Sequence, residues 1–390
     1  MQPIIITQAS SENSWRDTYT HLKRFVGATP NIKISDSVVL IPDEVKAEFY
    51  RLFDAARIAF VKEHCLPATQ DGYELSHQYK TLCAEVLQET GLGPVEVASD
   101  LKWFLQDPVD GLQRFLFKPL FKLLANQVDS AEFERLASKQ INDAYAALFR
   151  EGYQRWIAVG IVRRLLPEAS YRVPAMDGIY DVLMGEGHEN PGLHKDEVPE
   201  AQETKGLSFE QHPIISFITP RIIVRSRRTS TFVSLHTDFK EAEWTASRRS
   251  SNMEWHEIAA LKTEYNLQKL RPDLIKKAWY ELEPILPDFT FYTASEVDDL
   301  ALIADFKYML RPEMSVAIME SPDWSEGISP EVLKRRLCAL RPRQGALVIC
   351  RQEVSTATIE AFSEENLRII SVGYDEQALD AVVSLLSPSA

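Results

Sequence analysis

The chain has 390 residues, 45% of them hydrophobic and 26% charged. That is the balance of a folded protein, at a length beyond one comfortable hydrophobic core, so disorder as a global state is excluded and several domains are expected. A formal net charge of −14 excludes a protein that coats nucleic acid indiscriminately, which needs a positive surface, although a local basic face stays open.

Met1 to Ser10 has no basic region and no long apolar segment, so no signal peptide is visible. The longest apolar stretch, Trp156 to Val162, is far short of the roughly 20 residues a bilayer span needs. The four cysteines, Cys65, Cys83, Cys338 and Cys350, form no Cys-x-x-Cys pair. This predicts buried thiols in a reducing compartment, not structural zinc or disulfides. The expectation is a cytoplasmic protein with no membrane partner.

A short strand candidate at Ser37 to Ile41 precedes Pro42-Asp43-Glu44, a helix start with acids in its first turn. Val45, Phe49, Leu52, Phe53, Ala56 and Phe60 then recur at helical spacing. Further helices are predicted at Tyr73 to Glu89, Val95 to Gln106 and Val109 to Asn126, with Asp107-Pro108 as a break. A last helix runs from Ser130 towards Leu166, where Gly152 and Gly160 are candidate interruptions. Residues 1–166 are therefore expected to form a mainly helical domain. Its aromatics, among them Trp103, Phe104, Phe117, Phe121, Phe149 and Trp156, sit at core spacing, with a partner surface as the second reading.

Residues 167–255 are expected to form a linker and a β-hairpin region. Glu186 to Glu203 is polar and acidic, a solvated loop. His188 and His194 within it lack metal-ligand spacing and an apolar shell. Ile214 to Val224 and Thr231 to Phe239 read as hairpin strands around the turn Arg227-Arg228-Thr229-Ser230. Arg221, Arg225, Arg227, Arg228, Arg248 and Arg249 make this the most basic stretch. Arg225, Arg227 and Arg228 are candidate phosphate contacts, or a charged edge that blocks strand aggregation.

Residues 256–390 read as an α/β domain with a mixed sheet, giving a mixed α/β protein as a whole. A helix at Leu267 to Leu286 leads into strands at Phe289–Thr293, Leu300–Met309 and Ser315–Met319. A helix capped by Ser329 follows, then the apolar strand Ala346–Cys350, a helix near Thr356, the strand Leu367–Val372 and a final helix at Asp375–Leu386. Strands alternating with helices imply a parallel element. Within the second strand, Asp299, Asp305 and Lys307 share one face by alternation.

Helix, three-strand meander, helix, strand over residues 267–373 resembles the PD-(D/E)XK, or restriction-endonuclease-like, superfamily. The resemblance implies a Mg²⁺-dependent nuclease, or an inactive relative that still recognises nucleic acid. In that family an acid and an acid-x-lysine pair hold the metal that activates water. Two assignments stay open. One uses Asp298 or Asp299 with Glu320, lacking the expected lysine unless Lys334 substitutes. The other uses Asp288 with Asp305-Phe306-Lys307. The candidate cluster is thus Asp299, Asp305, Lys307 and Glu320, with the three acids as metal ligands. The alternative function is a non-catalytic scaffold or regulatory protein whose helical domain contacts protein partners. No glycine-rich phosphate cradle and no Gly-x-Ser-x-Gly elbow competes, and His236 and His256 read as structural.

Overall fold

The computed structural model describes residues 14–35, 39–174, 199–209, 220–237, 287–301, 311–320, 337, 342–362 and 367–387. The predicted helices at Leu267–Leu286 and Ser329, the residues His188, His194 and Lys334, and the strand residues beyond Ala301 lie outside the described residues. The protein is mixed α/β. It divides into two compact units, one of Met1–Thr81 with Ala98–Tyr153 and one of Leu82–Val97 with Gln154–Ala390.

The first unit is built from helices. Helix α1 (Trp15–Ala28) opens on a capping box in which the Ser14 hydroxyl accepts from the Asp17 amide and the Asp17 carboxylate accepts from the Ser14 amide. Its buried stripe is Trp15, Tyr19 and Leu22. Two short strands, β1 (Lys33–Ile34) and β2 (Val39–Leu40), pair antiparallel. They precede α2 (Asp43–His64), which carries Asp43 and Glu44 in its first turn and Lys62 and His64 in its last, as the helix dipole favours. The expected apolar stripe of α2 is buried through Phe49, Phe53, Ala56 and Phe60. Trp15 packs on Phe60 at 5.3 Å and on Phe133 at 5.2 Å, while Phe53 meets Phe121 at 4.6 Å. The aromatics at helical spacing are mostly core, as their period indicates.

Helix α3 (Leu66–Thr90) is longer than its apolar pattern suggested. The helix expected from Val95 is instead a strand, β3 (Val95–Glu96), followed by α4 (Ser99–Gln106). Asp107 caps α5 (Pro108–Gln113) by accepting from the Val109 and Asp110 amides at 2.9 and 3.1 Å, with Pro108 at the first position, where no N–H is needed. The single helix predicted at Val109–Asn126 is broken by a 3-10 turn at Arg114–Leu116 before α6 (Phe117–Leu124). Helix α7 (Ser130–Arg164) runs unbroken for 35 residues. Gly152 and Gly160 do not divide it; they are sites of close packing. A methyl on Gly152 would stand 3.0 Å from Leu75 Cδ2, and one on Gly160 would stand 2.6 Å from Leu379 Cδ1.

The second unit is organised on an eight-stranded sheet. Strands β4 (Pro167–Arg172) and β5 (Gln202–Thr204) form one edge, and β6 (Leu207–Ser208) pairs with β3 in a separate parallel ladder. The hairpin is β7 (Ile222–Ser226) and β8 (Thr231–His236), closed by Arg227–Ser230 as expected, with Ser230 at φ 56° and the Thr229 amide donating to Ser226 Oγ. Strands β9 (Phe289–Ala294), β10 (Met314–Met319) and β11 (Ala346–Cys350) follow, then α8 (Thr356–Phe362), β12 (Leu367–Ser371), a 3-10 turn at Glu376–Leu379 and α9 (Asp380–Leu386).

Spatial order is β12-β11-β10-β9-β8-β7-β4-β5. Strands β10, β11 and β12 are parallel and every other neighbour pair is antiparallel. All five residues of β11 are buried, as a strand covered on both faces must be.

One expectation needs correction here. Strands β9 and β10 are direct antiparallel neighbours, Phe289 opposite Val316, so no third strand lies between them to make the predicted meander. The predicted start of that strand, Asp298–Leu300, is a 3-10 turn whose Leu300 is buried. Acids bunched before one apolar residue suit a helical turn better than a strand.

Burial in the parallel layer sets the chemistry of Cys350, which is fully covered and has its thiol pushed up to about 12 by burial. With so little thiolate, Cys350 is expected to stay unlabelled by iodoacetamide at pH 8 in the folded protein and to label within minutes in urea. Mass spectrometry of the alkylated peptide measures this.

Candidate functional site

Among the described residues, two of the carboxylates proposed for a metal, Glu320 and Asp288, are engaged by other groups. Glu320 follows β10 and is clasped by Arg351, which follows β11. The parallel register that sets Met319 beside Cys350 brings the next residues together. Arg351 Nε donates to both Glu320 oxygens, at 2.7 and 2.8 Å, Arg351 Nη2 adds a further bond, and the Gln352 amide donates to the Glu320 carbonyl at 2.9 Å. Asp288, just before β9, accepts from Gln154 Nε2 at 2.6 Å on one oxygen and from the Ile318 amide at 2.6 Å on the other. It acts as a clip between α7 and two strands.

Asp299 lies on the 3-10 turn after β9, and its neighbour Asp298 accepts from the Ala201 amide at 3.4 Å. Because β9 and β10 run antiparallel, the segments leaving them, one bearing Asp299 and the other Glu320, depart from opposite ends of the pair. Convergence of Asp299 with Glu320 on one ion is therefore not built into the strand pairing. Asp305 and Lys307 lie outside the described residues. Among the described residues no group of three His, Cys, Asp or Glu side chains is placed to hold a metal ion, and no helix is long and apolar enough to cross a membrane.

The arginines of the hairpin separate into two sets. Arg228 is bonded to Asp380, which is also bonded to Arg164, and these two arginines hold the Asp380 carboxyl below its usual range. Arg228 is thus a structural tie within the second unit. Arg225 and Arg227 are exposed and share Glu168 at 3.4 and 3.9 Å. Strand β7 is paired on both sides, by β8 and β4, so these arginines do not guard a sheet edge as expected; they set two guanidinium groups against one carboxylate.

His236 is fully buried, as its structural reading required. Its Nε2 lies 3.1 Å from Ser234 Oγ and its ring meets Tyr292 edge-on at 4.9 Å. Burial raises the Tyr292 phenol above its ordinary range. Register sets His236 opposite Thr290, and Thr290 opposite Ser315. A polar row thus crosses three strands inside the sheet, invisible in the sequence because each member comes from a different strand.

The helical unit offers a surface feature that the sequence reading left open. A groove of about 380 Å³ is lined by Pro119 and Lys122 of α6, by Val128, and by Phe133, Leu136, Lys139, Gln140 and Asp143 of α7. Leu136 is 39% exposed; Phe117 and Trp103, which do not line the groove, are each 40% exposed. Trp103 is partly covered by the Arg114 guanidinium, 3.9 Å above its ring. Compared with protein families, curated proteins and solved structures, the chain matches none.

Proposed function

We propose that this is a non-catalytic scaffold or regulatory protein that acts through protein–protein contacts, with the groove between α6 and α7 as a contact surface. The observation that carries the reading is the state of the acids. A Mg²⁺ ion at Glu320 would have to displace a guanidinium and then sit beside it, and at Asp288 it would strip the Ile318 amide and the Gln154 side chain of their acceptor. Both losses leave polar groups uncompensated. The groove, in contrast, exposes apolar Leu136 above the buried Phe133, with Lys122 and Lys139 in its lining against one acid, Asp143, among the described residues. That combination suits an amphipathic helix with apolar anchors and flanking carboxylates.

The test has two arms. Incubation with double-stranded DNA, single-stranded DNA and RNA in Mg²⁺ or Mn²⁺ is expected to give no cleavage. In affinity capture, Leu136→Asp is expected to lose a partner that wild type and Arg225→Glu both retain, with thermal melts unchanged. Metal-dependent cleavage abolished by Asp305→Asn would overturn the reading in favour of the nuclease.

A further inference from the structure

The outer side of α6 carries a row of unpaired cations. Arg114, Lys118 and Lys122 recur at four-residue intervals through the 3-10 turn and α6, and all three are exposed. At that spacing they rise along one side of the segment over roughly 12 Å. No aspartate or glutamate occurs between Gly111 and Val128, and among the described residues none of the three cations forms an ion pair. The neighbouring helices differ. On α2, Arg51 takes Glu48 and Arg57 takes Asp54; on α7, Arg135 takes Glu132, each three residues along its own helix.

This row is continuous with the groove. Lys122 is part of the groove lining, as is the exposed Leu136. At the other end Arg114 lies 3.9 Å above the Trp103 ring, and Phe117, three residues beyond Arg114, is also exposed. Apolar surface, a line of cations and a second apolar surface therefore follow one another within the helical unit.

We propose that the partner in the groove is an acidic amphipathic helix that continues out of it along α6, which rests on the protein-contact reading of the groove. Its apolar side chains seat on Leu136 and Phe117, and one carboxylate per turn faces Lys122, Lys118 and Arg114. The two repeats match, because cations four residues apart and carboxylates once per turn both advance by about 6 Å. Nucleic acid matches less well: three cations are few against the repulsion that a chain of net charge −14 exerts on a long polyanion.

The test titrates the full chain by fluorescence anisotropy with a synthetic helical peptide. It carries leucines along one stripe and a glutamate once per turn beside them; a control peptide has glutamine at the acidic positions. The glutamate peptide is expected to bind roughly tenfold more tightly at low salt, as three exposed ion pairs allow, with the difference closing as salt rises. Lys118→Glu lines no part of the groove, and is expected to weaken the glutamate peptide roughly threefold or more while leaving the glutamine peptide unchanged. Arg114→Glu with Lys118→Glu should weaken it further, with thermal melts confirming the fold. Leu136→Asp is expected to weaken both peptides. The proposal is overturned if the glutamate peptide fails to bind, if charge reversal leaves its Kd unchanged, or if oligothymidylate displaces it from the chain. Equal binding of both peptides that Leu136→Asp abolishes would overturn the acidic partner and leave the groove reading intact. Binding that charge reversal weakens and Leu136→Asp does not would overturn the groove reading, and with it the path of the helix.

Discussion

Arg163→Ala is expected to cost roughly 2–3 kcal/mol, most of it from carboxylates left without their cation. Arg163 Nε and Nη2 bond Glu89 at 2.9 and 2.5 Å, and Nη1 bonds Glu85 at 2.5 Å and Glu376 at 2.6 Å. One guanidinium thus ties the end of α3, the end of α7 and the turn before α9. Glu85 and Glu89 are about half exposed, which lowers their share through screening, whereas Glu376 is 16% exposed. At about 2–4 °C per kcal/mol for a unit of this size, the thermal midpoint should fall by roughly 4–12 °C. Arg163→Lys keeps the charge but not the fork, and should lose about half as much. A drop below about 1 °C for the alanine variant would show that the cluster is solvated and adds nothing.

The same cluster sets an acid-side pH dependence with a defined sign. The bond from Arg163 holds the Glu89 carboxyl below its ordinary value, and Arg164 and Arg228 do the same for Asp380. Depressed carboxyls stabilise the fold above their unfolded values and lose that contribution as pH falls through the folded ones. Glu376 runs the other way: burial raises it, partly offset by Arg163, so its term favours folding on the acid side and fades as pH climbs. Removing Arg163 deletes the Glu89 contribution and leaves Glu376 more reluctant to ionise. The stability gap between wild type and Arg163→Ala should therefore narrow below about pH 4, as urea melts at pH 3.5 and pH 7 would show.

How far the sequence led depends on whether the signal was local. Ala346–Cys350 was readable because five apolar residues follow Gly345, which turns the chain at φ 84°. The hairpin was readable from its polar turn, and α2 from Pro42-Asp43-Glu44. Val95–Glu96 was not, because its strand character exists only through pairing with Leu207–Ser208, remote in the chain. The glycines of α7 looked like helix breaks, since propensity is local, while their reason is contact with Leu75 and Leu379. Two of the candidate acids depend on remote pairing in the same manner. Glu320 reads as a free acid at the end of a strand until the parallel register sets Arg351 beside it. Asp288 reads as a metal ligand until Ile318 and Gln154 take both its oxygens.

Glycine also supplies the sharpest contrast in expected stability. Gly111→Ala is expected to destabilise the helical unit by about 2–3 kcal/mol, at the upper end for an overpacked site. Gly111 is buried in α5, and a methyl there would stand 2.6 Å from Phe104 Cα and 2.8 Å from Phe104 N. Backbone cannot step aside as a side-chain tip can, so α4 and α5 must separate and strip Phe104, which is fully buried, of its packing. The roughly 1 kcal/mol by which alanine outranks glycine in a helix is too small to offset this. Gly27→Ala carries the same intrinsic gain in the last turn of α1 and meets nothing within 4 Å. It should therefore stabilise, by about 0.5–1 kcal/mol. Thermal melts of the two variants followed by far-UV circular dichroism should move in opposite directions. A Gly111→Ala midpoint at or above wild type would mean that the α4–α5 corner is looser than these distances allow.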